Sequence, residues 1–332
     1  MEFAEGKIKK FLSDNLGSRT TFEILPIKKG GSDRSFFRVS LPDKTSFIFM
    51  HYGTNIEENA YWIGIDKFLS SINIFVPRII VQDLRQHFIL MEDLGDIDLW
   101  QQRTLPWHTR RDYYYRVLTQ IRRLHSFKLK KIPTNLKLSP RYGPKLYRWE
   151  HNYFLENLVG EVCKIKTPSS LLKELKKELE SLSTRLQKIK PCLIHRDFQS
   201  QNIMIKDDRP VLIDFQGMRR GNLFYDLGSL ICDPYVSFTT EERNELINFY
   251  YKLKSPDYSR NDFAIYFWEA SAQRLMQALG AYGFLGLKKH KPDFLKHIYN
   301  GIRNLILSTS NAKNLPLLHE LSQQCESILA DR

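Results

Sequence analysis

The stretch LIHRDFQSQNIMI, residues 193–205, sets His195, Arg196, Asp197, Gln199, Gln201 and Asn202 between two apolar, strand-like ends. Asp197 and Asn202 stand five residues apart. Twelve residues further on, Asp214 closes the apolar run VLIDF. Phosphoryl transfer calls for this set. One carboxylate, Asp197, orients and deprotonates an acceptor hydroxyl, while an amide oxygen and a second carboxylate, Asn202 and Asp214, hold magnesium against a triphosphate. His195 is expected to brace the loop through backbone hydrogen bonds. An HRD alone reads as a surface loop. Asn at the fifth position and a hydrophobic strand ending in Asp-Phe make the signal specific.

These side chains need elements to carry them. Residues 1–16 read as an amphipathic helix, and 21–28, 35–40 and 45–52 are β-branched and aromatic runs punctuated by Gly30-Gly31 and Pro42-Asp43. A helix over 56–71 and strands near 78–82 and 87–92 complete a five-stranded antiparallel sheet with its helix. Beyond Leu94-Gly95 helical periodicity takes over, near 106–127, 145–160, 170–189, 240–253, 258–280 and 292–308. The reading is an α+β, bilobal chain: residues 1–94 form a small N-lobe and residues 95–332 a larger, mainly helical C-lobe. In 170–189 the leucines at 172, 175, 179, 182 and 186 and Ile189 alternate three and four apart. They fit a helix docked on its own lobe, with a coiled-coil seam as the alternative.

Gly30-Gly31 lets backbone amides approach phosphates without Cβ interference, although many Gly-Gly turns are only hairpins. The chain has no GxxxxGK[ST] and no GxGxxG, which removes P-loop and Rossmann readings.

The chain has 332 residues, enough for two lobes, with a formal charge of +13. Zinc spacing, RNP-type aromatics and an Arg-rich tail are all missing, so the charge reads as a solvated Lys-rich surface rather than a nucleic-acid face. The alternative is an electrostatic role toward a phosphorylated or acidic ligand. Cys163, Cys192, Cys232 and Cys325 are scattered without a CxxC pair, as expected of free thiols in a reducing compartment. The N-terminus lacks a signal-peptide h-region, and no apolar run reaches the roughly 20 residues that span a bilayer. A cytoplasmic, soluble monomer with no membrane or nucleic-acid partner is the expectation.

SDRSFFRV, LMEDLGD (90–96), LIHRDFQSQNIMI, LIDFQGMRRGNLFYDLGSLICDPY (212–235) and QRLMQALGAYGFLGLKKHKPDFL (273–295) together resemble the aminoglycoside phosphotransferase/choline kinase branch of the protein-kinase-like fold. The likeness is strongest to bacterial kinases that phosphorylate the anomeric hydroxyl of N-acetylmuramic acid and N-acetylglucosamine in cell-wall sugar recycling. It covers nearly the whole chain. It implies ATP and Mg2+ as cofactors and a small-molecule sugar as substrate. Asp197 would be the base and Asn202 and Asp214 the metal ligands. Met91, Glu92, Asp93 and Leu94 would be the hinge facing adenine, and Gly30, Gly31, Ser32 and Arg34 would lie on the phosphate side. Asp226 would brace the catalytic loop, unless it is only a dipole-favoured acid at a helix start.

The lysine that many such kinases carry on the third strand is missing from Phe47–Tyr52. Some cation must still meet the phosphates, and Lys28, Arg34 and Arg38 are the candidates. Without that lysine the usual helix glutamate, Glu57 or Glu58, has no evident role. Only ten residues separate Asp214 from Tyr225-Asp226, and Gln199 replaces the lysine usual in Ser/Thr kinases. A protein substrate is therefore disfavoured. On the acceptor side, Arg148, Glu150, Arg220, Trp268, Gln273 and Arg274 are candidates, mixing aromatic faces and bidentate donors that suit a neutral or anionic sugar. Core packing for Trp268 and solvation for Arg220 are the alternatives. The rival functions are an aminoglycoside or amino-alcohol (choline-type) kinase and a non-catalytic nucleotide-binding module.

Overall fold

A computed structural model of the chain describes residues 2–17, 21–27, 34–254 and 257–331. The expected phosphate turn at Gly30, Gly31 and Ser32, with Lys28, lies outside the described residues.

Five antiparallel strands form the N-terminal sheet: β1 (Glu23–Ile27), β2 (Arg34–Ser40), β3 (Ser46–Tyr52), β4 (Ile79–Asp83) and β5 (Phe88–Glu92), in the order β1-β2-β3-β5-β4. Alternation along β3 and β5 sends side chains to opposite faces. Phe49, Phe88 and Leu90 meet Ile8, Phe11 and Leu12 of helix α1 (Glu2–Leu16) and form a small core of their own. Met50, Tyr52, Ile89 and Met91 face the other way, toward Trp62, Ile65, Phe68 and Leu69 of helix α2 (Trp62–Ser71), and this cluster runs on into the C-terminal core. The Trp62 ring packs 4.9 Å from that of Phe215, the residue after Asp214. The sheet is thus seated on the turn that bears the second carboxylate.

The rest of the chain is built from helices α3 (Trp107–Ser126), α4 (Pro144–Phe154), α5 (Ser169–Lys188), α6 (Leu223–Ile231), α7 (Thr240–Lys254), α8 (Arg260–Gly283), α9 (Ile298–Asn311) and α10 (Pro316–Ala330). Two short hairpin ladders carry the site loops. Strand β6 (Cys192–Ile194) pairs with β9 (Arg219–Gly221), and β7 (Ile203–Lys206) with β8 (Arg209–Leu212). Helices α6 and α8 come close because Gly228 has no Cβ: one built there would lie 2.8 Å from the Ser271 backbone. Leu175, Leu179, Leu182 and Leu186 of α5 are buried. The Glu178 carboxylate accepts the backbone N–H groups of Leu317 (3.0 Å) and Leu318 (2.9 Å) at the start of α10. That helix is therefore docked on its own lobe.

Three boundaries and one element differ from expectation. The helix expected from 56 opens as a 3-10 segment, Glu57–Tyr61. The helix expected to 160 changes at Leu155 into a π-helical segment, Leu155–Val162. The one expected from 292 begins as a 3-10 segment, Pro292–His297. Helix α10 was not anticipated at all. Among the described residues no helix is long and apolar enough to cross a membrane.

Candidate active site

The loop that carries Asp197 is held in an unfavourable backbone conformation. Arg196 and Asp214 both have left-handed φ values, 80° and 61°, which cost on the order of 1–3 kcal/mol for such residues and persist only when the surroundings impose them. Asp226, fully buried on α6, imposes the first. Its two oxygens accept the backbone N–H groups of His195 (2.7 Å) and Arg196 (2.8 Å). His125 from α3 donates from Nε2 to the same carboxylate at 3.0 Å and meets the Tyr250 hydroxyl at Nδ1, 2.6 Å away. Asp233 repeats the device one turn later, accepting from Ser200 N (2.7 Å) and Tyr235 N (2.9 Å).

His195 is buried and its Nε2–H donates to the Ile213 carbonyl at 3.1 Å. The loop is thereby tied to the strand end that carries Asp214. Ile213 N also donates to Asn202 O at 3.0 Å, extending the β7–β8 ladder by one rung. Asn202 Nδ2 donates to Asp197 O at 2.9 Å, which leaves its Oδ1 out of that bond. Gly217 lies beside the base candidate: a Cβ there would make an ordinary contact, 3.7 Å from Asp197 Oδ2. Asp197, Asn202 and Asp214 thus stand on adjoining turns tied together by backbone hydrogen bonds. An amide oxygen and a carboxylate that is 32% exposed are hard oxygen ligands of the kind magnesium takes beside phosphate.

Asp197 sits among arginines. Arg196 Nη1 lies 2.9 Å from Oδ2 and Arg274 Nη2 lies 3.8 Å from Oδ1. Burial alone would raise its pKa, but Arg196, Arg274, His195 and Arg219 outweigh it and hold the carboxyl below its ordinary 3.8. The Asp197 carboxyl is therefore ionised at neutral pH. Arg274, from α8, also donates to Ser229 Oγ (3.1 Å) and Gln199 Oε1 (3.3 Å).

Behind the loop lies a second carboxylate of opposite character. Glu150 is fully buried and accepts from Tyr142, from Tyr225 (3.0 Å) and from Gln273 Nε2 (2.9 Å). His151 in turn meets Gln273 Oε1 at 2.8 Å. Burial raises the pKa of Glu150, against the opposing hydrogen bonds and the Arg196 charge.

The sheet side contributes three charges. Arg34, opening β2, reaches Asp214 Oδ1 (2.5 Å) and Gln216 Oε1 (3.0 Å). Arg38 pairs with Asp93 at 2.6 Å and Asp96 at 2.9 Å. Glu58 accepts from Ser139 Oγ (2.9 Å) and pairs with Arg219 at 3.4 Å, while Arg219 Nε donates to Gly217 O. Glu58, which has no third-strand lysine to pair with, thus meets an arginine that donates to the turn after Asp214 instead.

In the hinge segment, Met91 and Leu94 are buried, and the Glu92 carboxylate accepts from Arg78 N at 3.0 Å. Asp93 accepts from Gly95 N, and its carbonyl accepts from Lys206 Nζ at 2.7 Å. Of the acceptor-side candidates, Glu150, Gln273 and Arg274 come together. Arg148 instead reaches toward Glu180 at 3.8 Å, and the half-buried Trp268 packs against Phe267. Arg220 is exposed, whereas its neighbour Arg219 is buried. Sequence reasoning gave no site role to Arg219, Tyr142, Tyr225, His125 or Asp233. Of these, Arg219, Tyr225 and Asp233 lie in the stretch 212–235 with Asp214 and Asp226, which was their readable trace.

The Phosphotransferase enzyme family model matches residues 23–263. An N-acetylmuramate/N-acetylglucosamine kinase from Pseudomonas aeruginosa is 23% identical over 327 residues, covering 94% of this chain and 91% of that one. A protein of the same name from Pseudomonas putida is 28% identical over 193 residues, covering 58% and 55%. Among solved structures, a choline/ethanolamine kinase family protein from Mesorhizobium loti superposes with TM-score 0.61 at 14% identity, covering 98% of this chain and 100% of that one. An ADP-bound aminoglycoside phosphotransferase gives 0.59 at 15% identity, covering 90% and 97%. With the family match spanning most of the chain, this chain belongs to the phosphotransferase enzyme family.

Proposed function

We propose that the protein is an ATP- and magnesium-dependent kinase of N-acetylated amino sugars, acting on the anomeric hydroxyl of N-acetylmuramic acid or N-acetylglucosamine in cell-wall sugar recycling. The observation that supports the reading is the ionised Asp197 on a loop hydrogen-bonded to Asn202 and to the strand end that carries Asp214. The magnesium–nucleotide complex supplies the electrophilic γ-phosphoryl group. Asn202 Oδ1 and the Asp214 carboxylate would hold its metal. Asp197 accepts a hydrogen bond from the acceptor hydroxyl and takes its proton as the oxygen attacks. Asp226 and His195 keep the loop still while this happens. The sugar preference rests on the names of the relatives and on charge.

The structural neighbours favour a second reading, an aminoglycoside or amino-alcohol kinase. Charge argues against it. Arg196, Arg219 and Arg274 all bear on Asp197, and a polycationic acceptor would be repelled there, whereas a neutral or carboxylate-bearing sugar would not.

The test is NMR of products after incubation with Mg-ATP and a panel of N-acetylated sugars, aminoglycosides and choline. A phosphate on C1 of an N-acetylated sugar is the expected result. Phosphorylation of the cations alone would replace this reading with the second. Nucleotide binding without turnover on any acceptor would leave a non-catalytic module.

A further inference from the structure

The cleft needs a cation for the phosphates, and the inward residues of β3 that could have carried one, Ile48, Met50 and Tyr52, are uncharged. Of the described alternatives, Arg38 is committed to Asp93 and Asp96, and Lys206 to the Asp93 carbonyl and the Glu92 carboxylate. Arg34 is different. It opens β2, opposite Tyr52 in the register, directly after residues 28–33. Its guanidinium is 9% exposed and sits on the carboxylate that would hold the metal. A guanidinium and a divalent cation compete for the same oxygen, and two positive charges cannot share it without cost.

We infer that Arg34 is the phosphate-facing cation of this enzyme, giving up Asp214 for the nucleotide's phosphates when the metal–nucleotide complex enters. The geometry makes the exchange short. Gln216 Nε2 also donates to Asp214 Oδ1, at 3.2 Å, so the carboxylate stays aimed when Arg34 leaves. The planar fork that bridges Asp214 and Gln216 suits two phosphate oxygens equally well. In the nucleotide-free enzyme the same contact neutralises Asp214 and links the sheet to the catalytic floor. The inference rests on the nucleotide reading above.

Equilibrium binding tests it, with wild type, Arg34→Gln and Arg34→Lys titrated with a non-hydrolysable ATP analogue plus Mg2+, with adenosine, and with Mn2+ alone. Arg34→Gln is expected to weaken the ATP analogue by about 10–100-fold, the worth of hydrogen bonds to a charged group, and to leave adenosine unchanged. Arg34→Lys recovers part of the loss, as a cation without the fork. Mn2+ alone binds Arg34→Gln more tightly than wild type, because the competing charge has left Asp214; the loss for the ATP analogue with adenosine unchanged is what a merely structural arginine would not produce. Wild-type affinity of Arg34→Gln for the analogue overturns the assignment, as does an equal loss for adenosine. If wild type itself binds no Mg-nucleotide, the nucleotide reading falls and this inference with it. Binding by wild type with indifference to residue 34 overturns this inference alone.

Discussion

Around Asp197 the supporting groups are buried side chains: Asp226 and Asp233 accept backbone N–H groups, His125 meets Asp226, and Arg274 donates to Ser229 and Gln199. On the sheet side, Arg34, Arg38 and Glu58 reach their charged partners through side-chain ion pairs. The floor is therefore prebuilt, because each of its polar groups would be stranded by movement. The roof is attached by charges that a polyanionic ligand can rearrange. Preorganisation belongs where a proton is taken, and exchangeable contacts belong where a charged ligand enters and leaves.

The sharpest way to break this division is at the base. Asp197→Ala is expected to lose on the order of 10²–10⁴ in rate, the usual worth of a positioned general base, with nucleotide affinity little changed. Wild-type-like turnover would remove Asp197 from its role. Next comes Asp226→Asn, which turns one acceptor into a donor facing a backbone N–H. The expected cost is about 2–4 kcal/mol of stability, read as a lower urea midpoint at unchanged slope, and the rate should fall with it as Arg196 leaves its left-handed conformation. An unchanged midpoint would mean that the floor does not depend on Asp226.

The two carboxylates, Glu150 and Asp197, sharpen the comparison through pH. Glu150 has its folded pKa raised by burial, so its burial is harmless below its ordinary 4.5, and stability is lost as pH rises toward the folded value. Asp197 is depressed; its contribution is present above 3.8 and lost as pH falls through the folded value. Glu150→Gln should therefore gain on wild type as pH rises from about 4.5, followed by urea midpoints at successive pH values. A difference that stays flat with pH would mean that Glu150 is not raised.

The floor was legible in the sequence because its determinants are local. HRD and Asn202 lie within eight residues, and Asp226 opens a helix whose residues were quoted with it. What escaped is set by register and distance. Whether Arg219 or Arg220 points inward is decided by pairing of β9 with β6, which sets Ile194 opposite Arg219, and no spacing rule reads that. Arg34 finds its partner 180 residues away. Helix α10 went unanticipated because its buried face, Leu318, Leu321, Ser322 and Cys325, is half small or polar, which blurs the apolar period.

The smallest effect is expected at the roof, and it is diagnostic for that reason. Arg38 bridges Asp93 and Asp96, but Asp96 is 77% exposed, and Asp93 keeps the Gly95 N–H at 2.9 Å when the arginine is gone. No buried charge is left without a partner, so Arg38→Ala should cost about 1 kcal/mol or less and leave nucleotide affinity close to wild type. The urea midpoint and the nucleotide titration used for Arg34 measure both. A collapse of affinity as deep as that expected for Arg34→Gln would move the phosphate cation from residue 34 to residue 38. The hinge would then belong to the exchangeable roof instead of serving as its fixed edge.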